Sequence, residues 1–172
     1  MFEGDNVKLV LLEKERLGNL KYWLNDPQST MLRRSLSPRT LTELEKVYSR
    51  RGDEKWWLIE SKRGSLVGFI LNRPHEDYQV IEYLLEPEDG EEFHALDAVK
   101  TLVEYLFLNE SIVRIESELF VDDIVGVRVM GSNGFVREGV KRKSSFRRGE
   151  WKDTVIYRLL REEWSGPHFN WA

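Results

Sequence analysis

The sequence predicts one mixed α/β domain: a mostly antiparallel central sheet of six to seven strands, helices on both faces, in the order βααβββαβαββ. Three observations lead there. Short β-rich apolar runs alternate with segments of helical period. Three of those runs, within "KWWLIESKRGSLVGFILNR" and "YQVIEYLLE", follow one another across turn signals and read as an antiparallel meander. At 172 residues the chain is long enough to bury one core, and nothing in it reads as a repeat or an interdomain linker.

The elements follow in order. Val7 to Leu12 suits a strand, and "EKERLGNLKYWLND" then places Leu17, Leu20, Trp23 and Leu24 at helical spacing until Pro27 closes the helix. "QSTMLRRSLS" reads as loop. Thr40 with Glu43 forms a capping box that starts a second helix, and Gly52 supplies its stop. Lys62, Arg63 and Gly64 turn the first hairpin of the meander. Adjacent Trp56 and Trp57 should lie on opposite faces of their strand, and core packing explains both. His94 to Asn109 gathers Leu96, Val99, Leu102, Val103, Leu106 and Phe107 on one helical face. "SIVRIESELF" alternates as a strand, "DIVGVRVMGSN" reads as a helix ending near Gly134, and two long strands follow, joined around Arg148 and Gly149.

Composition removes several chemistries. Cysteine is absent, which excludes thiol nucleophiles, thiolate zinc sites and disulfides together. A net charge of -4 gives no global attraction to nucleic acid. The opening "MFEGDNVKLVLLEKER" lacks the pattern of a signal peptide, and no stretch approaches the roughly 18 apolar residues of a membrane span. The expectation is a soluble cytoplasmic protein with no membrane partner.

The element order and several local strings together carry a resemblance. "VGFI" at Val67 to Ile70, "IEYLLEPE" at Ile81 to Glu88, "GFVREGVKR" at Gly134 to Arg142 and "GEWKDTVIYRLLREEW" at Gly149 to Trp164 occur in matching context. From about residue 7 to 164 the chain resembles the GNAT acetyltransferases, in particular the branch that includes the N-terminal acetyltransferases of ribosomal proteins. The resemblance implies a domain over 1–164 followed by an aromatic tail over 165–172. It also implies acetyl transfer from acetyl-CoA to a small amine or a protein N-terminus. An amine is mostly protonated near neutral pH, so a base or a water chain must first take its proton. The resemblance further implies an oxyanion donor, a backbone N–H at a bulge in the strand Gln79 to Leu85, near Tyr83, with Leu84 and Leu85 along the cofactor. The pyrophosphate would meet the N-terminus of the next helix.

There the family pattern breaks. "EPEDGEEFHALDAVK" carries five carboxylates in its first seven residues. Aligned without a gap, the cofactor loop falls on Gly90, Glu91, Glu92, Phe93, His94 and Ala95: a basic residue becomes Gly90, and two glycines become Glu91 and Phe93. Glu91 and Glu92 would offer carboxylates to the helix amides in place of a phosphate. The family's pantetheine-contacting Asn aligns with Asp123, and its Ser, a proposed proton donor to the leaving thiolate, with Gly126. A carboxylate used as base in some relatives aligns with Ser145 beside Phe146.

Glu82 is then the first candidate base, although a surface carboxylate in a half-buried strand is the favoured account of it; Tyr157 aligns with a family tyrosine and suits packing. His94 reads as a cap or a solvent-facing side chain, and no second histidine stands at ligand spacing, so no metal is expected. Glu86, Glu88, Asp89, Glu91 and Glu92 lack the order of a calcium loop. Arg137, Lys141, Arg142, Lys143, Arg147, Arg148 and Lys152 crowd the last hairpin, as a solvated strand or a surface for a CoA 3′-phosphate or another anion. The tail, with Phe169 and Trp171, either docks on its own sheet or reaches a second subunit to form a homodimer. Two function classes follow. The departures favour a GNAT-fold module with weakened or lost acetyl-CoA use and a ligand- or protein-binding role; the alternative is a fully active transferase.

Overall fold

The computed structural model describes residues 1–26, 39–88 and 90–166; the loop read at 28–37 and the aromatic tail from 167 onward lie outside them. Eight strands form one sheet in the order β1-β2-β3-β4-β5-β6-β8-β7. They are β1 (Phe2–Glu3), β2 (Val7–Leu11), β3 (Lys55–Ser61), β4 (Leu66–Pro74), β5 (Tyr78–Leu85), β6 (Arg114–Phe120), β7 (Val136–Arg147) and β8 (Glu150–Leu160). Every pairing is antiparallel except β5 with β6. The helices are α1 (Leu17–Asn25), α2 (Leu41–Ser49), α3 (Glu92–Asn109) and α4 (Ile124–Ser132). No helix among the described residues is long and apolar enough to cross a membrane.

The expected order holds, with one strand added at the front. Phe2–Glu3 is too short to show a period. It is held by pairing with Leu9 and Lys8 and by the Phe2 ring packing on Tyr105 and Trp57. Thr40 and Glu43 form the anticipated capping box of α2, the Glu43 amide donating to Thr40 Oγ1 and the Thr40 amide to Glu43 Oε2. Arg148 and Gly149, at φ 49° and 81°, turn the last hairpin where the sequence placed it.

Two cores flank the sheet. On one face α1 and α2 bring Leu17, Leu20, Trp23 and Leu44 against Trp56, Leu58, Phe69, Leu71 and Leu84. On the other, α3 and α4 bring Ala98, Leu102 and Met130 against Trp57, Ile59, Ile70 and Ile81. Central strands covered on both sides need apolar residues at successive positions, which is why "WWLI" runs unbroken through β3. Each fully buried leucine contributes about 1.5–3 kcal/mol relative to exposure.

One buried carboxylate ties the start of the chain to α3. Asp97 accepts from the backbone N–H of Asp5 (3.1 Å), Asn6 (2.6 Å) and Val7 (2.9 Å). A side chain at Gly4 would place its Cβ 2.5 Å from Asp97 Oδ2 and 2.4 Å from Thr101 Oγ1, so only glycine lets the turn sit on the helix. Replacing Asp97 by Ala strands three amides. We expect a loss of about 2–4 kcal/mol in urea denaturation, with unfolding of β1 and β2 read by amide exchange ahead of the rest; an unchanged midpoint would contradict this role.

Candidate functional site

The site begins where a ladder stops. β5 and β6 pair over three rows only, Tyr78↔Arg114, Gln79↔Ile115 and Val80↔Glu116, and then diverge. β5 stays fully paired to β4 as far as Leu85, and β6 to β8 as far as Phe120, so the sheet opens between them. The amides facing this gap follow from parity. Glu86 N–H donates to Val67 O and His75 N–H to Tyr78 O, so even-numbered residues of β5 bond to β4. Odd-numbered residues direct their N–H groups toward β6, and beyond the last pair those are Tyr83 and Leu85.

The bulge expected within Gln79 to Leu85 is not there. The register runs unbroken from Pro74↔Gln79 to Gly68↔Leu85, and the irregularity lies one strand over, where Val67 is the extra residue between Glu60↔Leu66 and Ile59↔Gly68. Gly68 explains the shift of place. A Cβ there would stand 2.2 Å from Leu84 O, so β4 takes up the distortion and keeps β5 straight.

Side chains alternate accordingly. Leu84 is buried on the α1/α2 side, and Glu82 shares its face; Ile81, Tyr83 and Leu85 belong to the α3 side. Glu82 is ion-paired with Arg73 (3.5 Å), which also binds Glu54 at 2.6 Å. The candidate base is therefore held by an arginine. Glu118, two rows beyond the last pair on β6, lies on the same face as Glu82 and binds Lys141 (2.9 Å) and the buried Thr154 hydroxyl. Ser117, in the row where β6 leaves β5, is buried on the α3 side with no hydrogen-bond partner for its hydroxyl among the described residues.

The acidic loop disposes of its charges in three ways. Glu86 is buried at the edge and its Oε2 accepts from Glu88 N–H (2.9 Å). Glu91 is the N-cap residue of α3. Glu92, the first residue of α3, does not serve the helix amides as expected but reaches across to α4, pairing with both Nε (2.9 Å) and Nη2 (2.6 Å) of Arg128. The capping acceptor is His94, whose Nδ1 takes the Glu91 N–H at 3.1 Å. The amides of Glu92 and Phe93 have no acceptor among the described residues. Phe93 does not fill the space inside the loop: its ring is about half exposed and leans on His94 at 4.0 Å. Ala95 is buried in the core. Asp89 lies outside the described residues.

Gly90 has a structural reason. The loop doubles back so that Gly90 N–H donates to Glu86 O at 2.8 Å, and a Cβ would lie 2.4 Å from that same oxygen. No basic side chain fits at this position. At α4, Asp123 caps the helix by accepting Gly126 N–H at 2.8 Å, and a Cβ on residue 126 would meet Asp123 Oδ2 at 2.4 Å. The two departures from the family pattern are thus one device.

Between the first turns of α3 and α4 lies the Tyr83 side chain. Burial first, then the nearby carboxylates of Asp123 and Glu92, push its phenol above the ordinary value, so it stays a neutral donor. Burial likewise raises Asp123, against the hydrogen bond from Gly126. Helices α3 and α4 run side by side here, Asn133 Nδ2 donating to Leu96 O at 3.1 Å. Their N-termini open on one cleft. Two unpaired helix amides, the Tyr83 and Leu85 strand amides and a neutral phenol give that cleft donors suited to a phosphorylated carbonyl compound, with the buried Ser117 hydroxyl behind them on the same side of the sheet.

The basic hairpin is a mixed surface. Lys141 and Lys152 bind Glu118 and Glu150, and the Arg147 guanidinium lies 5.2 Å from the Phe120 ring centroid. Phe146 beside Ser145 packs edge-on against Trp151, and Tyr157 is in the core. Sequence reading missed Arg128, the one charge in an otherwise apolar helix, and Glu118, one of several charges in β6; the partner of each is distant in the chain.

Comparison with known proteins gives one family. The sequence profile described as acetyltransferase (GNAT) domain matches residues 9–156. An uncharacterised N-acetyltransferase of Bacillus subtilis, YnaD, is 29% identical over 69% of this chain and 72% of its own length; a second, YoaA, is 25% identical over 67% of each. Among solved structures, spermidine N-acetyltransferase of Vibrio cholerae in complex with CoA and spermine superposes with a TM-score of 0.85 at 18% identity, covering 91% of this chain and 96% of the other. A GNAT-family acetyltransferase of Bacillus anthracis gives 0.81 at 19% identity, over 94% and 99%.

The His94 cap makes stability depend on pH. Burial chiefly lowers the His94 pKa, and protonated Nδ1 could not accept the Glu91 N–H. The stability it contributes is full above the unfolded value near 6.5 and is lost as pH falls through the lowered folded value. The difference in melting temperature between wild type and His94→Gln, which cancels the carboxylates, should therefore shrink on going from pH 7.5 to pH 5; a constant difference would place the cap elsewhere.

Proposed function

Since the chain belongs to the GNAT acetyltransferase family, we propose that it is a working acetyl-CoA-dependent N-acetyltransferase whose acceptor is a small cationic amine. The observation that carries this reading is the gap between β5 and β6, opened beside two helix N-termini and lined by unpaired donors. When bound, acetyl-CoA supplies an activated acetyl group as its thioester. The unpaired amides of Glu92 and Phe93 would receive a phosphate, and the Tyr83 N–H would hold the thioester oxygen as negative charge develops on it. The Tyr83 phenol and the Ser117 hydroxyl are the remaining donors for the cofactor's amide arm and sulfur, in place of the side chain that Gly126 lacks.

The acceptor comes from the other face. Glu82 and Glu118 stand on that face on the two walls of the gap, and an ammonium entering between them meets a carboxylate on either side. We assign Glu82 as the base, directly or through a water: it takes one ammonium proton, the freed nitrogen bonds the acetyl carbon, and the carbon–sulfur bond breaks to leave the CoA thiolate. Arg73 holds Glu82 in place for that role. Spermidine is the acceptor named for the Vibrio relative, and a polyamine fits two acidic walls better than a peptide with one amine. A protein N-terminus, the acceptor of the ribosomal-protein branch, is the competing substrate. A cytoplasmic location accords with the cofactor.

One observation favours a second reading, a binding module that has given up acetyl-CoA: the loop admits no basic side chain at Gly90 and keeps Glu92 beside the phosphate site. Thiol release from acetyl-CoA, measured with polyamines, monoamines and N-terminal peptides, separates the two. Amine-dependent release with a mass gain of one acetyl supports the enzyme; no release together with no calorimetric CoA binding supports the module. In the enzyme, Glu82→Gln should lower kcat about 100-fold at pH 7 and recover as pH rises toward the amine pKa, whereas Glu118→Gln should raise KM for polyamines with kcat little changed.

A further inference from the structure

The Glu92–Arg128 pair stands at the entrance assigned above to the cofactor's phosphates. It joins the first residue of α3 to the second turn of α4, fork to fork, through Nε–Oε1 at 2.9 Å and Nη2–Oε2 at 2.6 Å. That is the geometry in which a guanidinium also takes a phosphate, but with a planar carboxylate in the phosphate's place. Both side chains are exposed, Arg128 by 56% and Glu92 by 39%, and an exposed pair costs little to open. Beside it are the two unpaired amides of α3, and within electrostatic reach of Glu92 is the Tyr83 phenol on the inner wall of the same cleft.

We propose that this pair is a latch: a phosphate group of CoA displaces the Glu92 carboxylate from Arg128, so that Arg128 is a cofactor-binding residue and Glu92 a built-in competitor that lowers CoA affinity. The displaced carboxylate remains at the N-terminus of α3, where the helix dipole favours a negative charge. An acidic loop then coexists with a phosphate site, because the acid next to the site is neutralised by the cation the phosphate will use. The inference rests on the acetyl-CoA reading of the cleft.

Calorimetric titration with CoA and with dephospho-CoA tests it on wild type, Glu92→Gln, Arg128→Gln, Arg128→Lys and the Glu92→Gln, Arg128→Gln double variant. Circular dichroism checks that each is folded. Glu92→Gln should tighten CoA about fivefold, because the phosphate no longer has to open an exposed ion pair worth about 1 kcal/mol. Arg128→Gln should weaken it about tenfold, and Arg128→Lys should recover part of that loss. The double variant should match Arg128→Gln alone, because the competitor has nothing left to compete for. If these differences vanish with dephospho-CoA, Arg128 takes the 3′-phosphate; if they persist, it takes the pyrophosphate, and either result upholds the exchange. Wild-type CoA binding that changes less than twofold in Glu92→Gln and Arg128→Gln, or that weakens in Glu92→Gln, would overturn the latch and leave the cofactor reading intact. No CoA binding by any variant, Glu92→Gln included, would overturn both.

Discussion

The end of the β5–β6 ladder after Val80 and Glu116 is the constraint from which the rest of the site follows. Each strand is held along its other edge through its full remaining length, β5 by β4 and β6 by β8, so neither can swing back to close the gap. A buried amide left without an acceptor costs about 1–3 kcal/mol. The Tyr83 and Leu85 N–H groups must therefore meet water or a ligand, and a folded chain that keeps them open keeps a binding cleft. Register does the remaining work. Parity along β5 sends Tyr83 toward α3 and Glu82 toward α1 and α2, so one dipeptide presents a donor to one side of the opening and a carboxylate to the other. A bulge within β5 would break that alternation; moving it to Val67 preserves it.

The same frame explains why a loop rich in acids does not simply repel an anion. Its charges have separate destinations: Glu86 turns in to hold the backbone of the loop, and Glu92 is taken by Arg128. His94, an uncharged acceptor, caps α3 without adding a negative charge at the helix start. What reaches the cleft is therefore less acidic than the residue count suggests. Gly90 and Gly126 belong to this frame as well: a Cβ at Gly90 would stand 2.4 Å from the Glu86 backbone carbonyl, and one at Gly126 would stand 2.4 Å from Asp123 Oδ2 and displace the carboxylate that caps α4.

Much of the architecture was legible because its signals are local. Periodicity gave the helices, turn residues gave the hairpins, and the alternation of Trp56 and Trp57 between two cores follows from the strand repeat alone. β1 was not legible, since two residues carry no period and its anchor, Asp97, is some ninety positions away in the chain. The site was readable in outline and not in its contacts. The alignment found positions 90 to 95, 123 and 126, but the roles there depend on partners that sequence does not bring together: Glu92 with a lone arginine on another helix, His94 with an amide three residues back, Glu82 with Arg73 across a strand pair. An acid in the first turn of a helix reads as a cap by default, and only the neighbouring helix shows that this one is engaged elsewhere.

A division between the two faces of the sheet emerges from these contacts. On the α3 and α4 side the donors are amides, a neutral phenol and a hydroxyl, and the one guanidinium described at the helix starts is occupied by Glu92. On the α1 and α2 side Glu82 and Glu118 are each held by a cation, Arg73 and Lys141. Ion pairing of this kind fixes a carboxylate in space while moderating its field, so an incoming ammonium is oriented more than it is trapped. A product amide carries no charge at the acylated nitrogen and loses that attraction. On the function proposed above, the arrangement thus favours entry of the amine over retention of its less charged product, with cofactor and amine approaching the same opening from opposite sides.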